Sequence, residues 1–424
     1  MDAGAMDDAA LDALRAERVD FRFKGLPPDA EGLTVGELAA QRRSLFDGGF
    51  TTPVLTLSAP ALDHNLAQLG AYADKHGLAF APHGKTSMAP QLFARQLAHG
   101  AWGITAAMPS QVRAYRAHGV QRIFLANEVV DEAALRWLAR ELDADPGFRF
   151  ICYVDSVRGV RLMDAALPRR LDVVVELGAP GGRTGVRDEA TASEVAEAVA
   201  ACDHLRLLGV AGYEGEIPQP SEPAVRAWLE RLVALARRFD AAGLLAEADE
   251  IVISAGGSAW FDTVAEVLEP VAGLSKPVLK LLRSGAYVTH DDGRYRAVTP
   301  FRDRVPGEGS LRAAFRLWAQ VVSRPEPGLA VVNAGKRDVS YDMDLPEPQF
   351  VRRADGSTSA AEGMRVTKLS DQHAFVALPG DGRVEVGDWI GLGLSHPCTV
   401  FDKWQLIPLV AEDGRVTDYI RTFF

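Results

Sequence analysis

The chain has 424 residues, 47% hydrophobic and 24% charged, which excludes a disordered polypeptide and supplies enough apolar material for two domains or one large barrel with an appendage. Lys and Arg total 46 against 57 Asp and Glu, and the net charge of −11 repels nucleic acid and anionic lipid over most of the surface. Three scattered cysteines, Cys152, Cys202 and Cys398, exclude a disulfide framework, and the expected compartment is the reducing cytoplasm. The acidic start lacks the basic and apolar regions of a secretory signal, and no run reaches 18 apolar residues, so neither a signal nor a membrane span is expected.

Residues 1–50 read as a charged, helical extension with Leu11, Leu14 and Val19 on one stripe, punctuated by Gly25, Pro27 and Pro28. A short β segment follows within 53–58, then a helix opening near Ser58 with Pro60 in its first turn. Brief apolar runs then alternate with helical periodicity. The expected strands are Leu78–Ala81, Trp102–Thr105, Arg122–Ala126, Phe148–Val154, Asp172–Leu177, Leu205–Gly212, Ile251–Ser254 and Val278–Leu282. Helices are expected at Pro109–His118, Glu132–Leu142, Glu194–Ala201 and Ala224–Phe239, the last with Val225, Leu229, Leu232 and Leu235 on one face. This pattern predicts an α/β fold, a (β/α)8 TIM-type barrel over 51–300, with a doubly wound open sheet as the competitor.

Beyond Tyr287 the rhythm changes to short β-branched or aromatic segments, Leu329–Asn333, Met364–Lys368, His373–Ala377 and Trp389–Leu394, bounded by Gly, Pro and Asp. They predict a C-terminal all-β domain over 301–424, which the strand at 53–58 is expected to join. The segment Arg352–Glu362, with Asp355-Gly356-Ser357, reads as a hairpin tip.

Barrel chemistry sits after the C-terminal ends of strands, so the residues there are the candidates. The first strand leads into Pro82-His83-Gly84-Lys85-Thr86, and the second ends at Thr105. A lysine at a strand end points its amine into the barrel mouth, where partial desolvation favours Schiff-base formation with an aldehyde cofactor. The run Ser254-Ala255-Gly256-Gly257-Ser258 offers backbone N–H groups free of obstruction before a helix, a seat for phosphate. Together these predict pyridoxal 5'-phosphate, with Arg183 at the pyridine nitrogen and Tyr213 against the ring or the substrate. In the β domain His396 and Cys398, at i and i+2, are good zinc ligands, and two ligands leave positions open for water and substrate. Asp402 is either a further ligand or a turn cap.

In order and spacing the chain resembles the fold-type III pyridoxal phosphate enzymes of the D-threonine aldolase and D-serine dehydratase family, relatives of alanine racemase. The resemblance runs from about Thr51 to Lys403 through TPVLTL (52–57), LDHN (62–65), PHGKT (82–86), WGITAA (102–107), GGRTGV (181–186), GYEG (212–215), SAGGS (254–258), SGAY (284–287) and SHPC (395–398). It implies an alanine racemase-like barrel with Lys85 bound to the cofactor and acting as base at Cα. Around the cofactor it implies His83, Thr105, Arg183, Tyr213, Ser254, Gly256, Gly257, Ser258 and Tyr287. His396 and Cys398 are implied as ligands of a divalent metal, zinc first.

An H-x-C pair is similar to the dehydratases of this family, whereas the aldolases tend toward H-x-D. The implied reaction is conversion of a β-hydroxy D-amino acid such as D-serine or D-threonine to a 2-oxo acid and ammonia. Retro-aldol cleavage to glycine and an aldehyde is the alternative; racemisation, using Tyr287 or a β-domain tyrosine as second acid/base, and a non-catalytic cofactor carrier are further ones. The chain departs from the family in having Ser87 and Met88 where its lysine motif continues with a histidine and another lysine, and in the extra glycine of GAPGGRTGV (178–186). A homodimer is the expected assembly.

Overall fold

The computed structural model describes residues 6–380 and 384–424; residues 1–5 of the N-terminal extension lie outside the described residues. Two short helices, α1 (Asp8–Ala16) and α2 (Val35–Ala40), form within that extension. Leu14 and Val19 are buried, and Val19, Phe23, Leu38 and Phe50 build a small core against Trp318, Leu406 and Tyr419 of the β region. The extension thus covers a sheet face.

Strand β1 (Val54–Ser58) leads into helix α3 (Ala59–Lys75), whose first turn is capped by the Ser58 side chain on Ala61 N and accommodates Pro60. All eight barrel strands of the sequence reading form: β2 (Ala79–Phe80), β3 (Ile104–Ala106), β4 (Arg122–Glu128), β5 (Arg149–Val154), β6 (Leu171–Leu177), β7 (Leu205–Gly212), β8 (Ile251–Ala255) and β9 (Val278–Leu282). They pair in parallel in the order β2-β9-β8-β7-β6-β5-β4-β3. The two ends of that order meet, because Trp102 N donates to Phe80 O at 2.6 Å and Thr105 N to Pro82 O at 2.9 Å. The sheet is therefore a closed barrel, which removes the open-sheet alternative. Its interior is filled by Phe124, Ile151, Tyr153, Val174, Leu208, Val252 and Leu281.

The helices between strands are α4 (Pro90–Ala98), α5 (Pro109–Ala117), α6 (Glu132–Ala144), α7 (Val157–Ala166), α8 (Glu189–Ala200), α9 (Glu222–Ala241) and α10 (Phe261–Leu268). Helix α8 begins five residues before its expected start, because the Asp188 carboxylate caps Thr191 N at 2.8 Å. On α9 the predicted stripe of Val225, Leu229, Leu232 and Leu235 is buried. At about 2 kcal/mol for each such side chain, that face outweighs any helix propensity.

The second sheet contains strands that the sequence reading passed over. After β10 (Phe315–Glu326) come β11 (Leu329–Val332), β12 (Glu347–Arg352), β13 (Thr358–Ala360), β14 (Arg365–Leu369), β15 (Ala374–Ala377), β16 (Trp389–Gly393), β17 (Leu406–Val410) and β18 (Val416–Arg421). The main path is β13-β12-β16-β10-β1-β17-β18, with β11, β15 and β14 branching from β10. Strand β1 lies antiparallel to β10 and parallel to β17. Arg352 opposite Thr358 closes the hairpin expected at Asp355-Gly356-Ser357. Among the described residues no helix is long and apolar enough to cross a membrane.

Asn65, from the LDHN segment, ties the two parts together. Its side chain is fully buried on α3; Nδ2 donates to Val288 O at 3.2 Å and to Arg312 O at 2.8 Å, while Oδ1 accepts from Arg312 N at 2.8 Å. It thus clamps the chain just after the barrel to the chain just before β10. Truncation strands two carbonyls and one amide in a buried place, so Asn65→Ala should lower unfolding free energy by about 3 kcal/mol. Urea unfolding should show a lower midpoint at unchanged slope; an unchanged midpoint would mean that the clamp carries no stability.

Candidate active site

Lys85 lies in a 3-10 turn, Gly84–Thr86, directly after β2. Gly84 is required there: a Cβ at that position would stand 2.7 Å from both Ile104 Cγ2 and the Tyr115 hydroxyl oxygen. The tight approach turns the Lys85 amine into a cavity of about 470 Å³ at the C-terminal end of the barrel. Burial first, then the nearby Arg183 and Arg283, hold that amine below the usual lysine value. His83 is driven well below the usual histidine value by burial, then by Lys85 and Arg283, and its Nδ1 is buried with no hydrogen-bond partner. A neutral imidazole with an unsatisfied nitrogen beside a desolvated amine is a binding position, not a packing one.

The other predicted residues divide into two groups. His83, Arg183, Tyr213, Gly256, Gly257, Ser258, His396 and Cys398 line the same cavity as Lys85. Thr105, Ser254 and Tyr287 are not among the residues that line it. The Thr105 hydroxyl donates to Ala81 O at 2.6 Å inside the barrel wall. Ser254 donates to Leu281 O at 2.9 Å and accepts from Arg283. Tyr287 is buried against Phe80, its hydroxyl accepting from Gln96 Nε2 at 3.3 Å. Asp402 pairs with Lys403 at 3.3 Å and lies outside the cavity.

The glycine-rich seat also differs in detail. The amides of Gly256 and Gly257 donate to the buried carboxyl group of Glu214 at 3.0 and 2.8 Å, so an internal acceptor occupies them. The amides of Ser258 and Gly285 have no partner among the described residues. These donors border a surface that only glycine permits, since a Cβ on Gly257 would meet Tyr213 Cε2 at 2.7 Å and one on Gly285 would meet His83 at 2.7 Å. The seat for an anion is thus displaced toward Ser258 and Gly285.

Arg183 stands at the rim, bound to Glu216 at 2.9 Å and lying over the Tyr213 ring at 5.5 Å. The guanidinium on the floor belongs to Arg283, 4% exposed, which donates to Gly212 O at 2.6 Å and lies over Phe124 and Tyr153. The sequence reading gave Arg283 no role. Its signal was a lone arginine ending the apolar run VLKLL. An amine, an orphaned imidazole nitrogen, a glycine cradle with open amides and two guanidiniums fit pyridoxal phosphate.

His396 and Cys398 reach the cavity from the β region, on a turn stabilised by Asp291. That buried carboxylate accepts from Gly293 N, Tyr295 N and Arg296 N through one oxygen and from His396 N, at 2.9 Å, through the other. The bond holds His396 in a left-handed conformation, φ 54°. Its Nδ1 is 2.5 Å from Asp342 Oδ2, whose other oxygen accepts from Thr399 Oγ1 at 2.8 Å. Asp342 was missed by sequence; the D-x-D of Asp342 and Asp344 is its only local signal. The His396 imidazole is raised to about 9, chiefly by its bond to Cys398, with burial opposing. Burial works to raise the Cys398 thiol, yet hydrogen bonds to His396 and Thr86 bring it below its ordinary value. Imidazole and thiolate with an orienting carboxylate behind the imidazole fit a divalent metal.

A larger concavity, about 610 Å³, opens at the opposite end of the barrel. Four of its arginines are in ion pairs, Arg149 with Glu250, Arg169 with Asp143, Arg170 with Glu247 and Arg206 with Asp172 and Asp249, and that end of a barrel carries stability instead of chemistry.

Comparison with known proteins agrees with this architecture. Residues 57–274 match the alanine racemase N-terminal domain and residues 314–410 the putative serine dehydratase domain. D-threonine aldolase of an Arthrobacter species is 28% identical over 376 residues, 87% of this chain and 90% of that protein. 3-Hydroxy-D-aspartate aldolase of Paracoccus denitrificans is 28% identical over 388 residues, 88% and 93% of the two chains. D-threo-3-hydroxyaspartate dehydratase of a Delftia species is 25% identical over 391 residues, 87% and 97%. Among solved structures, D-threonine aldolase from Filomicrobium marinum superposes with a TM-score of 0.72 at 25% identity, covering 88% of this chain and 95% of that one. With the barrel, the lysine after its first strand and the family match over half of its length, the chain belongs to the fold-type III pyridoxal phosphate family, joining an alanine racemase N-terminal domain to a serine dehydratase domain.

Proposed function

We propose that the protein is a pyridoxal phosphate- and metal-dependent lyase that converts a β-hydroxy D-amino acid to a 2-oxo acid and ammonia. The observation that carries this reading is the 3.3 Å contact between Thr86 Oγ1 and Cys398 Sγ. It sets the imidazole and thiol of one region a single residue from the lysine of the other. The names of the relatives, aldolases and a dehydratase of β-hydroxy D-amino acids, support the substrate class.

Lys85, Arg183, Ser258 and the Gly285 amide would hold the cofactor, and when bound it supplies an electron sink for charge that develops at Cα. His396 and Cys398 would hold the metal, zinc by the softness of its ligands, which supplies Lewis-acid assistance at a β-oxygen. The remaining work belongs to the chain. Lys85 Nζ is the desolvated amine available to take the Cα proton. His83, kept neutral, gives a hydrogen bond without adding charge. Glu216 fixes Arg183 at the rim, and Tyr213, Tyr295 and Met343 wall the cavity against water.

Retro-aldol cleavage is the second reading, favoured by the aldolases at 28% identity. It calls for a base at the β-hydroxyl. Ser87 and Met88 occupy the places where the family's lysine motif has a histidine and a lysine, and both are buried away from the cavity.

The discriminating experiment supplies cofactor- and zinc-loaded protein with D-serine, D-threonine and 3-hydroxy-D-aspartate and measures ammonia with oxo acid against glycine with aldehyde. Ammonia and oxo acid in equal amounts are expected; glycine and aldehyde would replace elimination by the second reading, and turnover of only the L-isomers would remove both. Lys85→Ala should lower kcat by at least about 10³-fold and remove the long-wavelength absorbance of the bound cofactor. Metal loading requires His396 to release its proton, so below its value of about 9 the affinity should rise with pH, with protons leaving as the ion binds. Calorimetry in buffers of different ionisation heat reads this directly; a pH-independent affinity would remove His396 from the ligand set.

A further inference from the structure

The turn that carries Lys85 is closed by a residue in an unusual conformation. Met88, 3% exposed, has φ 46°, in the left-handed region that a residue with a side chain seldom adopts and that persists only where its surroundings impose it. Within the turn, Met88 N donates to Gly84 O at 2.9 Å. On the other side Ala89 is extended, φ −117° and ψ 107°, as the residue ahead of Pro90 has to be. A third restraint arrives from the stretch after β18: Phe423 N donates to Met88 O at 3.0 Å.

Strand β18 is the last in the order of the second sheet, and the outer edge of such a strand leaves backbone groups unpaired. Here the segment after Lys85 takes them up. Gln91 Nε2 donates to Tyr419 O at 3.2 Å and Gln91 Oε1 accepts from Arg421 N at 3.3 Å, before the Phe423 amide continues the series on Met88. The Phe423 ring is itself held, 4.9 Å from the His118 ring and 4.9 Å from the Arg421 guanidinium.

The preceding residue grips a different segment. Thr422, 3% exposed, donates from N to Gln405 O at 3.1 Å and from Oγ1 to Trp404 O at 2.6 Å. Trp404 and Gln405 come directly after the turns that begin with His396 and Cys398. Two adjacent residues thus fasten the outgoing ends of both turns, whose facing sides meet at Thr86 and Cys398. We propose that Thr422 and Phe423 form a brace that positions the Lys85 turn against the turn of His396 and Cys398, with Met88 and Gln91 as the residues that receive it. Loss of the Phe423 bond releases Met88 from the left-handed region, and the Lys85 amine moves with the turn that Met88 closes. A displacement of about 1 Å at a reacting atom can slow its reaction about 100-fold. The inference rests on the proposed role of Lys85 and does not depend on which substrate is cleaved.

The test mixes full-length, cofactor-stripped protein with saturating pyridoxal phosphate, times the rise of the long-wavelength absorbance, and follows urea unfolding in parallel. Phe423→Pro lacks the amide donor, whereas Phe423→Leu keeps it without the ring. The proline variant should form the band at least about tenfold more slowly, and the leucine variant at close to the native rate. Thr422→Val, without the hydroxyl, should slow it to a smaller extent. If Phe423→Pro fails to fold by circular dichroism, Gln91→Ala, which breaks two bonds of the same edge, takes its place. An unchanged rate with only a lower urea midpoint makes the contact a purely stabilising one and overturns the proposal, as does equal slowing in Phe423→Leu. A native protein that never develops the band refutes the role of Lys85 itself, and the brace with it.

Discussion

An amine removed from water at the rim of a closed barrel is the constraint around which the site is arranged. Desolvation of Lys85 disfavours its charge, and the guanidiniums of Arg183 and Arg283 add to that pressure. The surroundings then have to balance several cations within one cavity. They do so unevenly: Glu216 neutralises Arg183 at the rim, whereas Arg283 on the floor is held by a hydroxyl and a carbonyl without a carboxylate partner.

That arrangement depends on bringing two remote stretches of chain together. The lysine turn follows β2, and the His396 turn follows β16, more than 300 residues later. Three buried polar side chains hold the junction: Asn65 grips the chain on either side of the crossover, Asp291 collects four amides including that of His396, and Thr86 meets Cys398. Asn65 and Asp291 satisfy backbone groups that would otherwise be costly to bury, and Thr86 pairs two side chains across the junction. Strand β1 contributes by pairing between β10 and β17 before the chain enters the barrel through α3.

Glu214 shows how far a local motif can mislead. Two adjacent glycines after a strand advertise free amides, and Gly256 and Gly257 indeed border the cavity. Their N–H groups are nevertheless turned to a carboxyl group that arrives from β7. Nothing in the run Ser254-Ala255-Gly256-Gly257-Ser258 reveals that partner, because it comes from a different strand. The same holds for Thr105, Ser254 and Tyr287, whose types suit a cofactor but whose side chains the barrel wall and core take up.

The amino-acid sequence by itself determined the eight barrel strands, the amphipathic face of α9, the hairpin at Asp355-Gly356-Ser357 and the position of Lys85. Each of these rests on short-range information: apolar periodicity, turn residues, and a lysine beside glycine at a strand end. Only the tertiary structure decided that Arg283 and not Arg183 lies on the cavity floor, and that Asp342 stands behind His396. It also revealed β10, β17 and β18, whose polar and proline positions obscure their alternation and whose neighbours are distant in the chain. The physical reason is common to all of them: a closed barrel and a sheet threaded by β1 create neighbours through long-range pairing, and the charge or hydrogen bond that gives a side chain its role then comes from a residue that local spacing cannot identify.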